Sequence, residues 1–229
     1  MRTVFSRLSV AIVSFLILAA GASGCGDTST QQTTNVLPGI CGDDVDLTGT
    51  EYVQNSNFKE GTNSWQNVET SQIGTDRVQA ESDNSCGSIV TFTREGSNAA
   101  TGLTGIQQPV TLEKSFVTSL KLQMVMKIDY QQLTADGLLG GETPVFVTID
   151  YENAEGDQSS WSHGFLAEGS QVNYPGRDQT ITPSFWYQYN LNDVFGVIPA
   201  ATRITAITVG GNGQDFRSSL ALVSLRGKS

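Results

Sequence analysis

Between Leu120 and Tyr130, apolar and polar residues trade places at nearly every step. Leu120, Leu122, Met124, Met126, Ile128 and Tyr130 alternate with Lys121, Gln123, Val125, Lys127 and Asp129. Successive side chains of a strand point to opposite faces, so this pattern predicts a long strand with one buried face. Val145, Val147, Ile149 and Tyr151 alternate in the same way with Phe146, Thr148, Asp150 and Glu152. Glu152-Asn153-Ala154-Glu155-Gly156-Asp157 then reads as a turn, and Gln158–Leu166 as the returning strand. Further strands are expected at Arg77–Glu81, Ser88–Arg94, Thr104–Leu112, Phe185–Leu191, Arg203–Val209 and Ser218–Leu225, with one short helical turn within Asn192–Val197. A chain of about eight to ten strands separated by Gly, Asn, Asp and Ser turns folds as an all-β antiparallel sandwich, with a closed barrel as the alternative.

The chain has 229 residues, 13 Lys+Arg against 23 Asp+Glu, and a net charge of −10. Such a surface repels phosphate, so a basic patch for nucleic acid is excluded. Hydrophobic residues make up 38% and charged residues 16%, too apolar for a disordered chain. One core-bearing domain is expected over residues 41–229, without internal repeats.

The first residues read as an address. Arg2 and Arg7 precede the uncharged run LSVAIVSFLILAA, and small residues follow. A basic start, an apolar middle and a small-residue end make a secretory signal over residues 1–24, and the run is too short to span a bilayer comfortably. Ala22-Ser23-Gly24-Cys25 resembles the bacterial lipobox, with Ala22 where that motif favours Leu. The resemblance implies a lipid anchor on Cys25, a membrane partner and a domain outside the cytoplasm. Residues 25–40 are rich in Thr, Ser and Gln and read as a flexible tether. Removing residues 1–24 takes two arginines and no acid, which leaves 11 bases against 23 acids, a net −12.

Three cysteines occur, Cys25, Cys41 and Cys86. With Cys25 acylated, the remaining pair in an exported protein is most simply a Cys41–Cys86 disulfide. Two distant cysteines and one His are too few for zinc, so no metal centre of that kind is expected.

Asn55, Asn57, Phe58 and Gly61, followed by Trp65, match an opening that resembles the galactose-binding-domain-like jelly rolls, among them several carbohydrate-binding modules. The resemblance extends as layout over most of residues 51–225. It implies a jelly-roll sandwich and a noncovalent binding role. It also raises a structural calcium, for which Lys59 stands where the family often has an acid, with Glu60 adjacent; no other cofactor is expected.

No G-x-S-x-G elbow, H-E-x-x-H, P-loop or G-x-G-x-x-G is present. His163, the one histidine, follows Ser162 on an expected strand, where neighbours face opposite ways and cannot form a dyad; a hydrogen-bonding role at the surface or rim is expected for it. No catalytic residue is therefore assigned. Acids are numerous, Asp43, Asp44, Asp46, Asp76, Glu81, Asp83, Asp129, Asp150, Asp178 and Asp193 among them, but a glycosidase needs two at a set separation. Sugar rings stack on aromatic faces while their hydroxyls seek amides, carboxylates and guanidinium groups. The candidates for such contacts are Trp161, His163, Tyr174, Arg177 and Trp186, with the polar loop Glu168–Thr182 carrying two of them. Trp65 is expected in the core. Phe185, Tyr187 and Tyr189 share one strand face and Trp186, Gln188 and Asn190 the other, so one set must be core. The expected function is noncovalent binding, with glycan as the expected ligand; a module docking an envelope protein is the alternative, and a hydrolase the third reading.

Overall fold

A computed structural model describes residues 34–35, 41, 45–70, 73–97, 100–132, 143–169 and 178–229. They fall in the compact unit Gln31–Ser229. Cys25 and the lipobox lie outside the described residues, as do Tyr174 and Arg177.

Two sheets face each other across one core. The first contains β1 (Thr34–Asn35), β2 (Thr50–Glu51), β4 (Thr75–Asp83), β5 (Gly87–Glu95), β7 (Ser119–Gln131), β11 (Tyr187–Leu191) and β13 (Phe216–Lys228). Its order is β1-β11-β7-β13-β5-β4, with β2 beside β13. The second contains β3 (Gln66–Glu69), β6 (Gly102–Glu113), β8 (Thr143–Glu152), β9 (Gln158–Ala167), β10 (Asp178–Ile181) and β12 (Arg203–Gly213), in the order β10-β9-β8-β12-β6-β3. The chain passes back and forth between the sheets, which is the jelly-roll form of an antiparallel β-sandwich. One helical turn, α1 (Val194–Val197), is capped by the Asp193 carboxylate, which accepts from the Gly196 amide at 3.0 Å.

Leu120, Leu122, Met124, Met126 and Ile128 are all fully buried, as are Val145, Val147 and Ile149 across the core. Tyr130 departs from the alternation and is 53% exposed. The register between β7 and β13 shifts between Arg217 and Ser218, a bulge at Asp129. One extra residue in a strand turns the residues that follow to the other face. Gln131 therefore takes the inward position, where its Oε1 accepts from the Ala167 amide at 2.8 Å.

The segment with the family-like opening forms a tight loop. Asn55, Phe58, Gly61 and Ser64 all have positive φ. Asn55 holds it from within: its Nδ2 donates to the Gly61 and Asn63 carbonyls at 2.9 and 3.1 Å, and its Oδ1 accepts from the Glu60 amide at 3.1 Å. Phe58 and Trp65 are buried with ring centroids 5.9 Å apart, so Trp65 is core as expected. Gln108 pins the loop to the second sheet through Gln54 and Ser64.

The Cys41–Cys86 disulfide is present. It ties Cys41 to the β4–β5 turn, and residues 45–48 follow as a strap on the outer face of the first sheet. Asp46 pairs there with Lys121 at 2.8 Å, and hydrogen bonds from Lys121 and then Thr48 hold its carboxyl well below the usual range. A second, small apolar cluster lies under this strap: Ile89, Val125, Trp186 and Ala221, with Cys41, Val45, Cys86 and Leu222 packed against it. Both faces of β11 are thus buried, Tyr187 and Tyr189 in the main core and Trp186 and Gln188 outside it. One set, Tyr187 and Tyr189, is core as expected; the outer cluster on the other face was not anticipated, and it exists because the strap supplies a second roof. Phe185 precedes the strand and is exposed.

Candidate functional site

On the outer face of the second sheet, cross-strand pairing aligns Ser162 with Thr148, Thr148 with Thr208, Thr208 with Gln107, and Gln107 with Gln66. Five strands thus contribute one hydroxyl or amide each to a continuous row. Residues directly opposite on neighbouring strands share a face at close spacing, so the row follows from register alone. Its members engage one another: Thr148 and Ser162 hydroxyls lie 2.8 Å apart, and Gln107 Nε2 donates to Thr208 Oγ1 at 3.0 Å. Ser162 and Gln66 are exposed, Thr148 and Gln107 half-buried.

The next row on one side is Gly164, Phe146, Gly210 and Gly105. Gly105 and Gly210 are required by the sheet itself, because a Cβ on Gly105 would sit 2.7 Å from the Val209 carbonyl oxygen and one on Gly210 would clash with the Thr104 carbonyl. The row on the other side contains Ser160, Asp150, Ala206 and Pro109. Asp150 is half-buried, its carboxylate has no hydrogen bond or ion pair with any described residue, and burial raises its pKa. Loss of water without a compensating donor disfavours the charged form, which makes this carboxylate receptive to a donor from outside. The acids of the first sheet contrast with it. Glu81, Arg217, Asp129, Lys127 and Asp83 form a ladder of ion pairs at 3.1 to 3.8 Å.

The structure brings Trp161 and His163 together, on the inner side of β9. Their rings stack with centroids 6.0 Å apart, and His163 lies against Tyr189 at 5.0 Å and edge-on to Phe165 at 4.9 Å. His163 is 8% exposed, so the surface or rim position expected for it is corrected: its strand parity points it between the sheets. Burial lowers its pKa to about 4 and raises that of the Tyr189 hydroxyl. His163 Nε2 and the Tyr189 hydroxyl have no partner among the described residues. Ser162 faces the opposite way, as expected for adjacent strand residues. Trp161 is half-buried against the core. Trp186 belongs to the strap cluster, 6% exposed, with the Lys127 ammonium 4.9 Å over its ring. Its burial leaves no ring face for a ligand.

The row itself was not singled out from sequence. Thr148, Ser162 and Thr208 are unremarkable in a strand until pairing places them side by side. Of the loop expected over Glu168–Thr182, Asp178–Ile181 form β10, parallel to β9. No group of three or more His, Cys, Asp or Glu that could hold a metal ion occurs among the described residues.

No family model and no curated protein matches the sequence. Solved structures similar to this chain include a family 11 carbohydrate-binding module from Clostridium thermocellum in complex with a β-1,3-1,4-mixed-linked tetrasaccharide. That match has 12% identity and a TM-score of 0.47, and covers 80% of this chain and 98% of the other. TmCBM61, in complex with β-1,4-galactotriose, matches at 13% identity and a TM-score of 0.42, covering 78% and 99%. A putative sugar binding protein from Bacteroides thetaiotaomicron matches at 15% identity and 0.43, covering 78% and 100%.

Proposed function

We propose that this protein is a noncovalent glycan-binding module, exported and held at a membrane by a lipidated Cys25, with the outer face of the second sheet as its binding surface. What supports the surface is the unbroken row from Ser162 to Gln66 beside an unpartnered, half-buried Asp150. Hydroxyls and primary amides both donate and accept, as sugar hydroxyls do, and a desolvated carboxylate adds one strong acceptor. Hydrolysis of a glycosidic bond takes two carboxylates set across it. Asp150 has Glu152 beside it on the same strand, and Glu152 is held by Arg203 at 3.4 Å and Gln158 at 2.6 Å. Recognition without bond cleavage is the chemistry this face favours.

Export is supported by the basic and apolar leader and by the Cys41–Cys86 disulfide, which persists in oxidising compartments. Among the described residues no helix is long and apolar enough to cross a membrane. Mass spectrometry of the N-terminus tests the anchor: a diacylated Cys25 is expected, and an unmodified terminus elsewhere would refute it. Affinity electrophoresis against soluble β-glucans, xylans, galactans and mannans tests the binding. Retardation by at least one of them is expected, and unchanged mobility in all of them would refute the glycan reading.

A further inference from the structure

The two sheets end on strands of unequal length. β1, β3 and β10 have two, four and four residues, whereas β4 runs for nine, Thr75–Asp83, at the edge of the first sheet. One side of β4 pairs with β5 along the whole strand without a bulge. On its other side it makes no backbone hydrogen bond to any described residue, and none of its nine residues is fully buried. A long regular edge offers a row of free N–H and C=O groups to any strand that can lie beside it. Shortness, proline and bulges are usual protections of an edge, and β4 has none of the three.

The side chains select the partner. When β4 lies antiparallel to a second β4 with Gln79 at the centre, Arg77 falls opposite Glu81 of the other copy. Val78 then meets Ala80, Asp76 meets Ser82, and Thr75 meets Asp83. Gln79 is the midpoint of the strand, so this register uses all nine residues. Opposite charges meet twice, small apolar residues meet twice, and no like charges face each other. Arg77 is exposed and has no hydrogen bond or ion pair with any described residue. Glu81 accepts from Arg217 at 3.1 Å, and a carboxylate has room for a second cation. We propose that β4 pairs with β4 of a second copy of this chain in that register, giving a dimer whose first sheet is continuous across both copies. Directly paired residues share a face, so the two-fold axis stands perpendicular to the sheet and both second sheets face the same way. On the glycan reading, such a dimer holds one long chain at two points.

Sedimentation velocity of the chain carrying Cys25→Ser, which cannot be acylated, reads the association. Salt of about 0.15 M screens the repulsion between two acidic copies. A reversible dimer is expected. Arg77→Glu and Glu81→Arg should each weaken it at least tenfold, because like charges then face each other at both contacts. An equimolar mixture of these two variants should dimerise as the parent does, since the mixed pair brings opposite charges together again. The double variant Arg77→Glu/Glu81→Arg, with the signs exchanged within one chain, should also dimerise; if a single variant fails to melt as a folded protein, the double variant decides. A parent that sediments as a monomer at every concentration, leaving the edge to another chain or to water, would overturn the proposal. So would folded single variants that dimerise as tightly as the parent, or folded variants that stay monomeric when mixed.

Discussion

His163 and Arg94 show how single buried polar groups set the stability of this sandwich. The imidazole of His163 is stacked between Trp161 and Tyr189, and burial lowers its pKa to about 4 from an ordinary 6.5. The unfolded chain therefore binds the proton more readily. The stability that comes from a neutral His163 is complete above pH 6.5 and is lost as pH falls toward 4. Between pH 7 and 4.5 the loss from this residue is roughly 2 to 3 kcal/mol. In His163→Phe, which keeps an aromatic ring in the stack, urea midpoints should fall less over that interval than in the parent. Equal falls would contradict the assignment. Arg94 is fully buried, 2.6 Å from the Asp76 carboxylate, and Thr104 donates to the same oxygen at 2.8 Å. Arg94→Met leaves that acid buried and unpaired, which destabilises by about 3 to 5 kcal/mol. Adding Asp76→Leu should recover most of the loss in the same urea titration. Neither role was legible in the sequence: Arg94 ends a strand-like run, and only β4 pairing with β5 sets Asp76 opposite it.

At the scale of elements, the alternating runs located β4 to β9 and β11 to β13, because one-sided burial writes a period of two into the residues. β3 and β10 were missed, being four residues each and too short for a pattern to stand out. Bulges were also illegible. At Asp129 and between Leu220 and Leu222 the chain inserts a residue without any change in composition, yet Tyr130 is turned outward by the first. The strap was half legible. Cysteine counting supplied the Cys41–Cys86 bond, but not that Cys41 and Val45 would pack over the Trp186 cluster. A 45-residue separation implies about 3 to 4 kcal/mol of stabilisation from constraining the unfolded chain. Cys41→Ser with Cys86→Ser should lower the unfolding free energy by that amount and shift tryptophan emission to the red as the cover over Trp186 loosens. An unchanged midpoint with unchanged emission would show that the strap holds without its bond.

Over the whole molecule, the two outer faces divide the polar groups between them. The first sheet pairs its acids with Lys and Arg, through Asp46–Lys121, the Glu81 to Asp83 ladder and Glu51–Arg226. The second sheet has its ion pairs at Arg203, with Glu113 and Glu152, carries uncharged hydroxyls and amides in register across its middle, and leaves the Asp150 carboxylate without a partner among the described residues. The sequence made the sandwich legible and the surface illegible for one reason: burial is periodic along the chain, whereas a binding face is assembled across strands that are distant in sequence. Aromatic residues chosen for sugar stacking followed chain proximity, and two of them, His163 and Trp186, are buried. The most direct test compares the parent with Asp150→Ala and Gln107→Ala by calorimetric titration of the polysaccharide that retards it most in affinity electrophoresis. At least tenfold weaker binding in both variants, with melting temperatures preserved, is the predicted result. Undiminished affinity in both would place any sugar site away from the second sheet.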